Sequence, residues 1–72
     1  MTRDATADRN IGAAVRRFRL SAGMTQAQLA DAAGVATETL SRIETGRMTT
    51  ISLALCDRLA SSLGVATADL MR

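Results

Sequence analysis

The chain has no proline, histidine, lysine, tryptophan or tyrosine, and only one phenylalanine and one cysteine in 72 residues. Each absence removes a class of function. Without histidine there is no Ser–His or Cys–His pair to activate a nucleophile. One cysteine and no histidine exclude the usual zinc sites. A lone Cys56 cannot close an internal disulfide, which fits a reducing compartment, and it reads as a small buried apolar residue rather than a reactive thiol. No apolar run is long enough for a signal peptide or a membrane span, so a cytoplasmic location without a membrane partner is expected. The glycines do not form a phosphate-cradling loop. Asp31, Glu38, Glu44 and Asp57 read as surface or paired charges. The expectation is a protein that is not an enzyme, with no cofactor, no metal and no small-molecule ligand.

What is present points to helices. Hydrophobic residues make up 47% of the chain, and no alternating apolar–polar run suggests a strand, so the fold class expected is all-α. A chain of this size is one domain, with a core usually worth about 3–5 kcal/mol. All nine basic residues are arginine, against seven acidic ones, for a net charge of +2. The isoelectric point near 10.0 overstates this basicity, because no lysine, histidine or tyrosine buffers the curve. A charge of +2 does not by itself name nucleic acid as partner; its distribution matters more.

The informative stretch is Thr25 to Gly46. Thr25 and Gln28 have capping-box spacing, with Met24 placed to staple onto Leu29. Leu29, Ala30 and Ala33 share one side of the helix that follows. Gly34 is the residue best able to adopt the left-handed conformation that ends a helix, and Val35 plugs the turn. A second helix begins at Ala36 or Thr37 and stops at Gly46. At about 100° per residue, Ala36, Leu40 and Ile43 fall on its inner side; Thr37, Glu38, Ser41, Arg42 and Thr45 fall on its outer side. Two helices, a tight glycine turn and a polar outer face suit a DNA-binding helix-turn-helix. The same pattern also suits an ordinary helical hairpin with a solvated face.

Elsewhere, residues 1–7 read as a polar flexible arm and residues 8–72 as the domain. The first helix is expected from about Asp8 to Ala22, with Ile11, Val15, Phe18 and Ala22 as its core stripe and Arg16 and Arg17 facing solvent. A fourth helix follows Ser52 and runs to Leu63, with Leu53, Cys56, Leu59, Ala60 and Leu63 inward. Gly64 ends it, and a short fifth helix spans about Thr67 to Met71. The near-repeat Gly-Val-Ala-Thr-Glu-Thr-Leu at 34–40 and Gly-Val-Ala-Thr-Ala-Asp-Leu at 64–70 reflects two similar helix-ending turns, not a solenoid.

The run from Arg19 through Gly-Met-Thr-Gln-Ala-Gln-Leu-Ala to Gly34-Val35, then Leu40-Ser-Arg-Ile-Glu-Thr-Gly-Arg47 and Leu59-Ala-Ser-Ser-Leu-Gly-Val65, resembles the phage Cro and repressor (Xre-like) helix-turn-helix family over roughly residues 11 to 70. The resemblance implies a compact five-helix, repressor-like DNA-binding domain with a central helix-turn-helix. It places Thr37, Glu38, Ser41 and Arg42 at base-contacting positions and Gln26 where the first helix of the motif meets the DNA backbone. It pairs Arg19 with Glu44. Thr25, Arg47, Thr49 and Thr50 are further candidates for phosphate. Ala36 and Ala66 depart from the family, which often has a hydroxyl cap there.

The function expected is a sequence-specific double-stranded-DNA-binding transcriptional regulator, acting as a homodimer on a palindromic operator and set by its amount rather than by an inducer. A restriction–modification controller or a Cro-like repressor fits this description. The alternative from another class is an antitoxin or other protein-interaction module on the same fold. Leu55, Val65, Leu70 and Met71 are the expected dimer contacts, as apolar groups of the C-terminal part.

Overall fold

From Arg3 to Ser21 there is no proline and a single glycine, Gly12, and the backbone forms one helix, α1 (Arg3–Ser21). The structure is a computed structural model that describes residues 3–48 and 50–71, and the backbone alone over residues 3–10. α1 starts at Arg3, ahead of the start expected near Asp8, and residues 1 and 2 of the expected arm lie outside the described residues: Arg3 to Ala7 carries no breaker, and arginine and alanine are good helix formers. Four further helices follow, α2 (Gln26–Ala33), α3 (Thr37–Glu44), α4 (Leu53–Leu63) and α5 (Thr67–Leu70), with no strand among the described residues.

The helices surround one core. α1 lies against α3, α4 and α5, while α2 contacts α3 and α4. Val15, Leu29, Leu40, Ile43, Leu59 and Leu70 are fully buried, and Phe18, Met24, Val35 and Leu63 close over them. Cys56 is buried among these apolar groups, and that burial, with Asp57 adding, pushes its thiol above the ordinary range. Ser52 caps α4 by accepting from the Leu55 N–H at 3.1 Å. α5 is tied to α4 by the Thr67 hydroxyl, which donates to Asp57 at 2.6 Å.

Three core assignments differ from the periodicity reading. Ala22 is exposed because α1 ends at Ser21 and the chain turns away; Ala14 is buried instead. Ala36 is exposed as the residue that precedes α3. Leu53 is 63% exposed while Leu55 is buried. The buried stripe of α4 is Leu55, Cys56, Leu59 and Ala60, and Leu53 stands roughly 90° from its centre.

Gly12 sets how closely α1 and α3 approach. A Cβ on Gly12 would overlap the Ile43 carbonyl oxygen and lie 3.1 Å from the Ile43 carbonyl carbon. Glycine inside a helix costs about 1 kcal/mol relative to alanine, and here that cost allows backbone-to-backbone contact. Gly12→Ala is therefore expected to lower stability by about 1–3 kcal/mol despite its better helix propensity, since the two helices must separate. Urea denaturation measures this; a midpoint equal to or above that of the native protein would show that the crossing is not so tight.

Candidate nucleic-acid interface

The interface is built from α2, a three-residue turn and α3. Thr25 Oγ1 accepts from the Gln28 N–H at 3.0 Å, and Gln28 Oε1 accepts from the Thr25 N–H at 2.8 Å, closing a capping box at the start of α2. Gly34 ends α2 at φ +72°. The Val35 N–H then returns to the Ala30 carbonyl at 2.9 Å, while its side chain sits against the core. The turn thus swings the chain from α2 into α3 with its orphan carbonyls satisfied.

α3 buries Leu40, Ile43 and Glu44 and presents Thr37, Glu38 and Arg42 to solvent, with Ser41 and Thr39 half-buried at the edges. Its N-cap is Ala36, which has no side-chain acceptor. α3 therefore forgoes about 1 kcal/mol of capping. In return, the Thr37 hydroxyl is not committed to its own helix. The Thr45 hydroxyl is committed: it donates to the Ser41 carbonyl at 2.9 Å. Arg42 donates from Nη2 to Glu38 Oε2 at 3.1 Å, one turn apart on the outer face, with side chains 60% and 78% exposed. Such an exposed pair is worth only about 0.3–0.5 kcal/mol, so either group can exchange its partner at little cost.

Beneath this face lies the network that fixes α3. Arg19 donates to Glu44 through Nε at 2.7 Å and Nη2 at 3.0 Å, a two-pronged contact, and through Nη1 to the Met24 carbonyl at 2.9 Å. Gln26 Nε2 donates to the same carboxylate at 3.1 Å. Arg19 and Glu44 are buried, and the hydrogen bonds to Glu44 push the guanidinium above its already high value, so it stays charged. One carboxylate thereby joins α1, the start of α2 and the end of α3.

The end of α3 places a second arginine. Gly46, at φ +77°, lets the Arg47 N–H reach the Arg42 carbonyl at 2.9 Å and its own N–H reach the Ile43 carbonyl at 3.2 Å. Arg47 is exposed, and with Thr39, Arg42, Met48 and Thr50 it lines a shallow depression beside the outer face. Division of α3 into two faces does not single out Thr39; its place three residues before Arg42 is the signal that marks it. Thr50 is exposed, and Thr49 lies outside the described residues.

The C-terminal candidates divide. Leu55 and Leu70, expected as dimer contacts, are buried in the monomer's own core. α5 is short but folds back on α1 and α4, so Leu70 has a core place after all. Val65 is half-buried against the core, and Met71 is 47% exposed.

The helix-turn-helix family model matches residues 15–70. Among solved structures, the chain is similar to a hypothetical transcription factor, NHTF, from Neisseria, with 29% identity and a TM-score of 0.87 over 92% of this chain and 75% of that one. It is similar to the restriction-modification controller protein C.AhdI from Aeromonas hydrophila, with 26% identity and a TM-score of 0.82 over 86% and 92%. It is also similar to the clp gene regulator ClgR from Corynebacterium glutamicum, with 36% identity and a TM-score of 0.83 over 89% and 82%. No curated protein matches.

Removing either partner of the buried pair strands the other's charge, at a cost of about 3–5 kcal/mol. Arg19→Ala and Glu44→Ala are each expected to leave the chain largely unfolded at 25 °C, since a core of this size supplies about as much. Thermal melts of both variants and of the double variant check this, the double being no worse than either single. Additive losses, or full retention of the melting temperature, would show that the contact does not hold α3.

Proposed function

This chain belongs to the Cro/C1-type helix-turn-helix family of DNA-binding transcription regulators, and on that premise we propose that it reads a palindromic operator as a two-fold dimer, with α3 of each copy in the major groove. The observation that carries the reading is the exposed Glu38–Arg42 pair on a helix whose buried side is pinned by Arg19 and Gln26. A pinned helix presents its outer groups in a fixed register.

The chemistry of that face suits base edges. Arg42 can leave Glu38 and donate twice to guanine O6 and N7; Glu38, once released, can accept from cytosine N4. Thr37 and Ser41 reach bases or phosphates. Thr25 retains a hydroxyl hydrogen after capping α2, and Gln26 retains a second amide hydrogen after bracing Glu44. With Arg47, Thr49 and Thr50 they serve as phosphate contacts that set register. No helix among the described residues is long and apolar enough to cross a membrane, and the proposed site of action is the cytoplasm.

Dimerisation follows from the number of contacts. Four side chains on one helix, at about 1–3 kcal/mol per good bidentate contact, discriminate too weakly against a genome of competing sites. Two copies of α3, spaced by one DNA turn of about 34–36 Å, double the readout. Among the exposed apolar groups, Leu53, Met71 and the outer edge of Val65 lie in the C-terminal part, where a second copy is expected, while Leu20 lies apart on α1. A restriction–modification controller or Cro-like repressor is the class of regulator this fits.

Arg42→Ala is expected to weaken operator binding by about 1–3 kcal/mol with little change on random DNA, read by gel shift on a duplex selected from random sequence. Equal losses on both would make Arg42 a phosphate contact. In sedimentation equilibrium at micromolar concentration, Met71→Glu and Leu53→Glu are expected to shift a dimeric wild type towards monomer with no loss of helicity. A wild type that is monomeric both free and on a palindromic operator would overturn the dimer.

A further inference from the structure

The outer face of α3 is close to electrically neutral while Glu38 holds Arg42. The attraction to phosphate must then come from beside the helix. One flank has Arg47, in the depression it shares with Thr39 and Arg42. The other flank has two arginines with no part in the base-reading face. Arg16 and Arg17 are exposed on α1 and form no ion pair among the described residues. With Ala13, Leu20 and Glu44 they line a second depression, where α1 crosses the end of α3.

Three features suit this depression to an anion. Glu44 gives it no counter-charge, because its carboxylate is turned inward to Arg19 and Gln26 and its side chain is 1% exposed. Arg17 rests with its guanidinium 5.6 Å from the centroid of the Phe18 ring, a contact that orders the side chain without neutralising it. The bond from Gln26 to Glu44 puts the start of α2 next to the same place. Position around α3 supplies the rest. At about 100° per residue, Glu44 lies roughly 140–160° from Thr39 and Arg42, so the depression at Glu44 and the one at Thr39 stand on opposite flanks of the helix, and Arg47 also lines a third with Glu38, Ser41 and Thr45 at the end of the outer face.

Resting on the DNA-binding reading above, we propose that Arg16 and Arg17 form a phosphate-binding element on α1. They hold one sugar–phosphate backbone while Arg47 holds the other, so that α3 is gripped from both walls of the major groove. Neither arginine reads bases. Their contribution is affinity and register, the same on any sequence.

The test is the salt dependence of binding, by fluorescence anisotropy at four salt concentrations, on a duplex selected from random sequence and on an unselected one. The double variant R16Q/R17Q is expected to lower the slope of log K against log salt by about one to two units on both duplexes, roughly 0.9 for each phosphate that is no longer neutralised. The ratio of selected to unselected affinity should stay as in the wild type. R16K/R17K should retain the slope, and R58Q, which removes an exposed charge from α4, should leave it unchanged. A slope in R16Q/R17Q equal to that of the wild type overturns the proposal and leaves Leu20 with its two arginines as a surface for an acidic protein segment. An equal fall in R58Q also overturns it, because net charge alone would then be responsible. A wild type that binds no duplex at any salt sinks the underlying reading and this one together. Melting curves matching the wild type keep the variants comparable.

Discussion

The structure depends on one buried carboxylate. Glu44 sits at the end of α3 and accepts from Arg19 on α1 and from Gln26 at the start of α2. In a chain with a single aromatic residue, apolar burial alone is a weak guide to orientation. Leucine, valine and alanine slide past one another at little cost when volume is conserved. A two-pronged Arg–Glu contact does not slide: a shift of one turn would leave two buried charges unpaired. The network therefore does more for the angle and depth of α3 than for net stability, which a well-packed apolar pair would also supply.

Two local sacrifices accompany that placement. Gly12 gives up helix propensity so that α1 can touch the backbone of α3. Ala36 gives up a side-chain cap, and Thr37 consequently keeps its hydroxyl for another partner. Both weaken a helix in isolation, and both favour the position or the readiness of the outer face. In the proposed complex, the cheap Glu38–Arg42 pair works in the same direction. It hides a guanidinium from indiscriminate phosphate contact and releases it where guanine and cytosine offer replacements for both groups.

Charge placement also explains how a chain with a formal charge of only +2 suits a polyanion. Both acidic groups of α3 are occupied: the exposed Glu38 by Arg42, the buried Glu44 by Arg19. Arg16, Arg17 and Arg47 have no acidic partner among the described residues and stand in depressions on the two sides of α3. Local field, not net charge, is what a phosphate experiences within a Debye length of about 8–10 Å.

The sequence by itself determined the local elements, because their signals are contained within a few residues. The capping box at Thr25 and Gln28, the helix-ending glycines, the Ser52 cap and the stripe Leu29-Ala30-Ala33 are all statements about neighbours three or four positions apart. The division of α3 into an inner and an outer face was legible for the same reason. The link between Arg19 and Glu44 was not legible from periodicity; only resemblance to a family suggested it, since the two residues are 25 positions apart. Tertiary structure alone decided that Leu55 and Leu70 are core while Leu53 faces solvent, that Gly12 is a crossing point, and that Arg16 and Arg17 share a depression with the end of α3. These facts depend on which helix lies opposite which. Periodicity fixes the azimuth of a side chain around its own helix and carries no information about what the neighbouring helix brings to meet it.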